Sequence, residues 1–227
     1  HLRGEYSADV PLLLPSLFVL NLSGTIAPAA NLSMVNVSRF TGFVMLSDTH
    51  FTAVVGGTFD ARHLSPPLAG SRGYQAVSIV GGANNAIRGV RAIVNNTGAA
   101  LGVNQSPRAE ISGCDVGGEG KMMMRGRCIW TLATSRAMVH DNHVRHCSAH
   151  ALDFDAYTSA SAAWNNLCED NGEEGIFVEE TASGNFIFNN TLRRNANGIG
   201  LYANAVGPVA NNMIVGNVLE DNGGGIT

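Results

Sequence analysis

Four stretches of the chain superpose: Asn142–Asp155 (NHVRHCSAHALDFD), Asn166–Glu179 (NLCEDNGEEGIFVE), Asn190–Tyr202 (NTLRRNANGIGLY) and Asn217–Thr227 (NVLEDNGGGIT). Their leading asparagines are 24, 24 and 27 residues apart. Each stretch reads Asn-x-hydrophobic, a polar turn, Gly or Ala, then Ile or Leu in alternation. Ile87–Val103 and Ile111–Leu132 share the cadence more loosely, the second with an insertion around Met122, Met123 and Met124. A self-similar period of roughly 24 residues with about three short strands per turn defines a solenoid of stacked strands. The expected fold is all-β, a single-stranded right-handed parallel β-helix of about nine coils. Alternation places Leu152, Ile176, Ile199 and Ile226 in one inward column. Asn171, Asn195 and Asn222 fall at one turn, where stacked amides can form a hydrogen-bonded ladder. A leucine-rich repeat has a similar length, but its L-x-x-L-x-L frame is missing.

Composition agrees. The chain has 227 residues, 27 of them Gly and 22 Asn, and only 14% are charged, against a typical ~25%. Gly and Asn suit tight turns, and the Val, Ile and Leu between them suit short strands. Disorder is excluded by 45% hydrophobic content, and a coiled coil by the missing heptads. The net charge of −4, without a basic run, argues against nucleic acid as a partner. The whole of 1–227 is expected as one domain, with irregular first coils over 1–60 and regular coils over 84–227. It stops midway through a repeat, so a segment of a longer protein is expected.

Six N-x-S/T sequons, at Asn21, Asn31, Asn36, Asn95, Asn104 and Asn189, point to a secreted or cell-surface glycoprotein. Cys114, Cys128, Cys147 and Cys168 have no zinc-ligand spacing and are expected in disulfides, with the connectivity open. The apolar run Pro11–Leu22 (PLLLPSLFVLNL) is shorter than the ~20 residues a bilayer span takes. It reads as the first coil, so no membrane insertion by this segment is expected.

If Leu152 and Phe154 face inward, Asp153 and Asp155 face outward. Phe177 and Glu179 then face outward in the next coil, Tyr202 in the one after, and Trp130 lies beside Asp153. Stacked neighbours are ~4.8 Å apart. One outer face thus gathers Trp130, Asp153, Asp155, Phe177, Glu179 and Tyr202, with His150 and Glu174 at its edge. Carboxylates interleaved with aromatics suit a polysaccharide or other glycan. In a chain with so few charges, their clustering within two coils is the main functional clue. His140, His143, His146 and His150 point to different sides of a coil and form no metal cluster.

The chain resembles the right-handed parallel β-helix proteins of the pectin-lyase-like group. The resemblance rests on the repeats, on Gly4–Gly24 (GEYSADVPLLLPSLFVLNLSG) and on the Gly56–Ala61 phrase (GGTFDA). His150–Glu179 further resembles the catalytic coils of mannuronan C5-epimerases, which are related to alginate lyases. That family carries Y-G-x-D-P-H, then D-N-G-x-x-G-hydrophobic-x-x-D one coil later. Asp153 matches the motif aspartate, Asp170-Asn171-Gly172 and Gly175 match the second element, and Glu179 replaces its final Asp. His150 stands where the family has Tyr, and Asp155 where it has His.

The resemblance implies proton abstraction beside a carboxylate, with His150, Asp153, Asp155 and Glu179 catalytic. Trp130, Phe177, Tyr202, Arg193 and Arg194 would bind substrate. It also implies Ca²⁺ as an alternative neutraliser, with Asp153, Asp155 and Glu179 as ligands. Two rival readings remain open. Paired carboxylates at ~5–7 Å fit glycoside hydrolysis, although polygalacturonase N-T-D and D-D motifs are absent. Arg127–Asn166 also resembles coils of fibrocystin-like and hyaluronan-binding surface proteins, which implies a structural or adhesive segment of an extracellular assembly with other chains.

Overall fold

The computed structural model describes residues 5–8, 12–28, 42–62, 75–93, 99–119 and 126–227. Every paired strand among them runs parallel to its neighbours, in two sheets. One sheet has nine strands, one per coil: Leu12–Leu13, Gly42–Ser47, Gln75–Val80, Ala99–Asn104, Arg127–Leu132, Leu152–Phe154, Glu174–Glu179, Asn197–Tyr202 and Gly224–Ile226. The other has fifteen and bends around the rest of the coil. From Ala86 onward each coil supplies two three-residue strands to that larger sheet, then one strand to the nine-strand sheet. The chain is therefore a parallel β-helix.

The register follows the repeat. Leu152 pairs with Ile176, Ile176 with Ile199 and Ile199 with Ile226, and Ile129 extends the same column downward. Ile129, Leu152, Ile176 and Ile199 belong to one continuous core that also takes in Ile87, Ile111, Val139 and Val178, while Ile226 ends the column in register but exposed. The core grows by stacking, so each coil contributes a few apolar side chains and nothing larger.

Asparagine holds the turns. At one turn the backbone N–H groups of Cys147, Asn171 and Asn195 donate to Oδ1 of Asn171, Asn195 and Asn222, at 3.0, 3.2 and 2.9 Å. A second ladder runs from Cys114 through Asn142, Asn166 and Asn190 to Asn217. A third runs from Ser161 through Asn185 to Asn212. Each amide nitrogen also donates to a carbonyl of the preceding coil and, except at the last rung, to the next Oδ1, as Asn171 does to the Val144 oxygen and to Asn195. The ladder runs so close to the nine-strand sheet that a Cβ on Gly175 would lie 3.0 Å from Asn195 Nδ2.

Cys128 and Cys147 form a disulfide, and Cys114 and Cys168 are free and buried. The expectation that all four cysteines are bridged is thus corrected. Cys114 heads an asparagine ladder and Cys168 lies in the core, so neither faces a partner thiol. Of the sequon asparagines, Asn31, Asn36 and Asn95 lie outside the described residues. Asn189 is exposed and Asn21 half-buried, but Asn104 is only 8% exposed. No helix among the described residues is long and apolar enough to cross a membrane.

Asn171→Ala is expected to destabilise the fold by about 1–3 kcal/mol, because the buried Cys147 N–H loses its acceptor. Urea unfolding measures this. A loss within ~0.5 kcal/mol, the range of ordinary surface substitutions, would show that the ladder is not a support.

Candidate active-site cleft

The strand Arg127–Leu132 and the coils that follow it build the site. Ile129 and Leu152 pair in the core, which sets Trp130 beside Asp153 on the outer side, and Asp153 beside Phe177. Thr131 pairs with Phe154, yet Ala133 N donates to Ala156 O. Two residues, Asp155 and Ala156, thus stand opposite the single Leu132. Such a bulge bends the strand and re-aims a side chain. Here it brings the Asp155 carboxylate against Trp130.

Arg127 binds three carboxylates at once. Its Nε lies 2.5 Å from Asp153 Oδ2, its Nη2 donates to Glu179 Oε1 at 2.8 Å, and its Nη1 donates to Asp155 Oδ2 at 3.3 Å. Trp130 Nε1 donates to Asp155 Oδ2 at 2.8 Å, and the Ala156 N–H donates to Oδ1 at 2.6 Å. The guanidinium also sits 5.7 Å from the centroid of the Trp130 ring. One cation cannot offset three buried acids, so two of them resist ionisation. Burial pushes Asp153 well above the carboxylate range, and Arg127 only partly opposes this. Burial and then the Asp155 charge push Glu179 up to about 7.

The alternation expected from the sequence holds, but exposure does not follow from it. Asp153 lies on the outer side of the strand and is nevertheless fully buried, its carboxylate 0% exposed and its Oδ1 without a hydrogen-bond partner. Trp130 and Phe177 flank it in register, and Arg127 closes over it. Asp155 too is mostly covered. Asp153, expected to face solvent, is thus covered by its neighbours. Trp130 is also buried, at 4% exposure, and serves as a donor to Asp155 rather than a sugar platform. Arg193 and Arg194 are not here at all. Arg193 ends a strand of the other sheet and Arg194 follows it, both paired with Glu169, and Arg194 also with Asp170.

Asp155 and Glu179 open instead on a cleft of about 640 Å³, with Arg127 in its wall and Tyr157 and Glu180 at its lip. His150 lies in a neighbouring groove of about 510 Å³ with Glu173, Glu174 and Tyr202. Its Nδ1 is 2.7 Å from Glu174 Oε2 and its Nε2 is 3.3 Å from Glu173 Oε2. Burial lowers its pKa against the pull of those two acids. Its ring stacks on Phe177 at 4.2 Å, and Phe177 on Tyr202 at 6.3 Å.

Oxygens of Asp153, Asp155 and Glu179 lie within 4.8 Å of one another, as a cation site would need. The Arg127 guanidinium already bridges all three. Ca²⁺ takes six to eight oxygen ligands, so these residues do not fit it while Arg127 is in place. Two participants escaped the sequence reading. Arg127 would have been found by stepping back one coil from Asp153, and exposed Tyr157 by following the extra residue after Asp155.

The chain belongs to the right-handed β-helix family, whose model, "Right handed beta helix region", matches residues 69–219. No curated protein matches it in sequence. Among solved structures it is similar to the lacto-N-biosidase of Eubacterium ramulus, with 12% identity and a TM-score of 0.52 over 97% of this chain and 45% of that one. It is also similar to the A-module of a mannuronan C-5 epimerase of Azotobacter vinelandii, with 12% identity and a TM-score of 0.42 over 99% and 86%. A third similarity is to PfbA, a surface adhesin of Streptococcus pneumoniae, with 13% identity and a TM-score of 0.43 over 98% and 84%. At such identities the likeness is one of fold.

The raised Glu179 pKa has a thermodynamic consequence. A carboxyl whose folded pKa lies above its unfolded value adds stability below the ordinary glutamate range, and that stability is lost as pH rises through about 7. Glu179→Gln should remove this dependence. Between pH 5 and pH 8 the melting temperature of the wild type should fall relative to that of the variant. Parallel curves in calorimetry would contradict the raised value.

Proposed function

We propose that the chain is a secreted carbohydrate-active enzyme that cleaves a neutral glycan, with Asp155 as nucleophile and Glu179 as general acid and base. The observation that carries this reading is the pairing of unlike carboxyls at one cleft. Glu179, titrating at about 7, can hold a proton, while Asp155 is fixed as an acceptor by Trp130, Ala156 and Arg127. Pairs whose environments differ in this way divide into acid and base. Oxygens of the two lie within 4.8 Å of each other, which is closer than the ~6.5–9.5 Å spacing of inverting glycosidases and favours the retaining arrangement. In the proposed reaction Asp155 attacks the anomeric carbon, and the leaving oxygen takes its proton from Glu179. Water, deprotonated by Glu179, then hydrolyses the glycosyl ester. Asp153 shares Arg127 with both groups and acts as a positioning residue. Tyr157 and Tyr202 are 61% and 53% exposed, and they offer rings to sugars at the lip and in the adjoining groove.

Uronan epimerase or lyase chemistry fits less well. It needs a cation for the enolate-like charge, but Arg127 is already shared among three acids and Arg193 and Arg194 lie elsewhere. A uronate would add another negative charge. The disulfide favours an oxidising compartment.

Turnover should be assayed on neutral oligosaccharides and on alginate and pectin. Glu179→Gln and Asp155→Asn are each expected to lose at least ~100-fold in kcat/KM. Wild-type activity should fall as pH rises through about 7. Turnover confined to uronans would replace this reading with the epimerase or lyase one, and glycan binding without turnover with the adhesive one.

A further inference from the structure

Every arginine among the described residues forms an ion pair with a carboxylate, except Arg108 and Arg136. These two are stacked on each other. Arg108 N donates to Ser135 O at 2.9 Å, which sets Arg136 one coil above Arg108. Both are exposed, and both sit at φ 58. A left-handed backbone disfavours a side-chain-bearing residue by about 1 kcal/mol, and neither side chain is buried in return. Arg108 Nε donates to Asn84 Oδ1 at 2.6 Å, and the Arg136 guanidinium makes no hydrogen bond or ion pair among the described residues. Two like charges one coil apart, with no acid between them, repel each other.

They line a groove of about 460 Å³ together with Arg88, Glu110 and Met138. Glu110 does not quench them. Arg88 grips it with two bonds, 2.9 and 2.6 Å, and its hydrogen bond to Arg88 holds its carboxyl down at about 2. Arg88 and Glu110 cancel, which leaves a local charge of two. Beside the groove the same sheet carries a stack of rings, His140 on Trp164 at 4.2 Å and Trp164 near Phe188 at 5.7 Å.

We propose that Arg108 and Arg136 form an anion-binding site for the carboxylate or sulfate groups of an acidic polysaccharide lying along the stack. Coils recur every ~4.8 Å, close to the length of one sugar ring, so neighbouring charged units can meet successive arginines. Guanidinium suits both anions by bidentate bonding. Two cations on a chain of net charge −4 are too few for nucleic acid, whose binding rests on many phosphate contacts. Arg108 and Arg136 sit in turns and share their groove with the larger-sheet residues Arg88, Glu110 and Met138, none of which lines the cleft of Asp155 and Glu179, so the site does not depend on the hydrolase reading. It would hold the protein on an acidic matrix while the cleft works on another glycan.

Titration of the intact chain with polygalacturonate, dextran sulfate and uncharged dextran, at 50 and 200 mM NaCl, tests this. The two charged polymers should bind, more weakly at the higher salt, and dextran should not bind at this site. The relative response to polygalacturonate and dextran sulfate distinguishes the carboxylate from the sulfate source. The double variant Arg108→Ala/Arg136→Ala should lose about tenfold or more in affinity. Arg108→Lys/Arg136→Lys should lose less, and Arg194→Ala on the far ion-paired ladder should bind as wild type. All these side chains are exposed, and matching melting curves establish that the variants are folded. Unchanged binding by the alanine double variant, equal loss in Arg194→Ala, or tighter binding of a single-stranded oligonucleotide than of either charged polymer would overturn the proposal.

Discussion

The asparagine ladder is the interaction on which the stack depends. Strand pairing joins coils along their straight runs, but at each turn the backbone leaves the ladder of strands and its N–H groups need other acceptors. A side-chain amide supplies one without adding length. Asn166 shows the economy: its Oδ1 accepts from Asn142, while its Nδ2 reaches Asn190 and the Val139 carbonyl. A carboxylate could accept but could not donate, and a hydroxyl is too short to reach both neighbours. Asparagine is therefore abundant because the turns need it, and its repeat distance is the coil length.

The site is a consequence of that regularity and of one departure from it. Strict stacking puts like positions of successive coils side by side, so carboxylates 24 residues apart, Asp155 and Glu179, become neighbours. The extra residue at Asp155–Ala156 turns the first of them toward the Trp130 donor. Arg127, entering from the strand below, can then satisfy three acids only in part. The raised pKa values of Asp153 and Glu179 follow first from their burial and then from that crowding of negative charge around one cation.

The fold was legible because the 24-residue cadence is written in residues whose roles are local: Asn at the turns, Ile and Leu in the column of Leu152, Ile176, Ile199 and Ile226. One of the three ladders, Asn171 to Asn222, could be read directly. The coils of the site were also legible, as was the side of the strand on which Asp153 lies. Its burial was not, because alternation tells which way a side chain points and says nothing of what covers it. Trp130 is buried against Asp155, whereas Phe177, beside Asp153 in register, also lines the groove of His150 and Tyr202. The arginines near the aligned motifs, Arg193 and Arg194, were a poor guide for the same reason. Nearness in sequence places them one coil away but on another wall.

The Cys128–Cys147 disulfide joins two successive coils at the turn where the Asn171–Asn222 ladder begins. Elsewhere coils are held by bonds that open one rung at a time, as the slats of a blind fall in order. At this point two slats are riveted. A separation spreading through the stack from either side would halt there, so the coils of the cleft, which start at Arg127, would be among the last to part under tension.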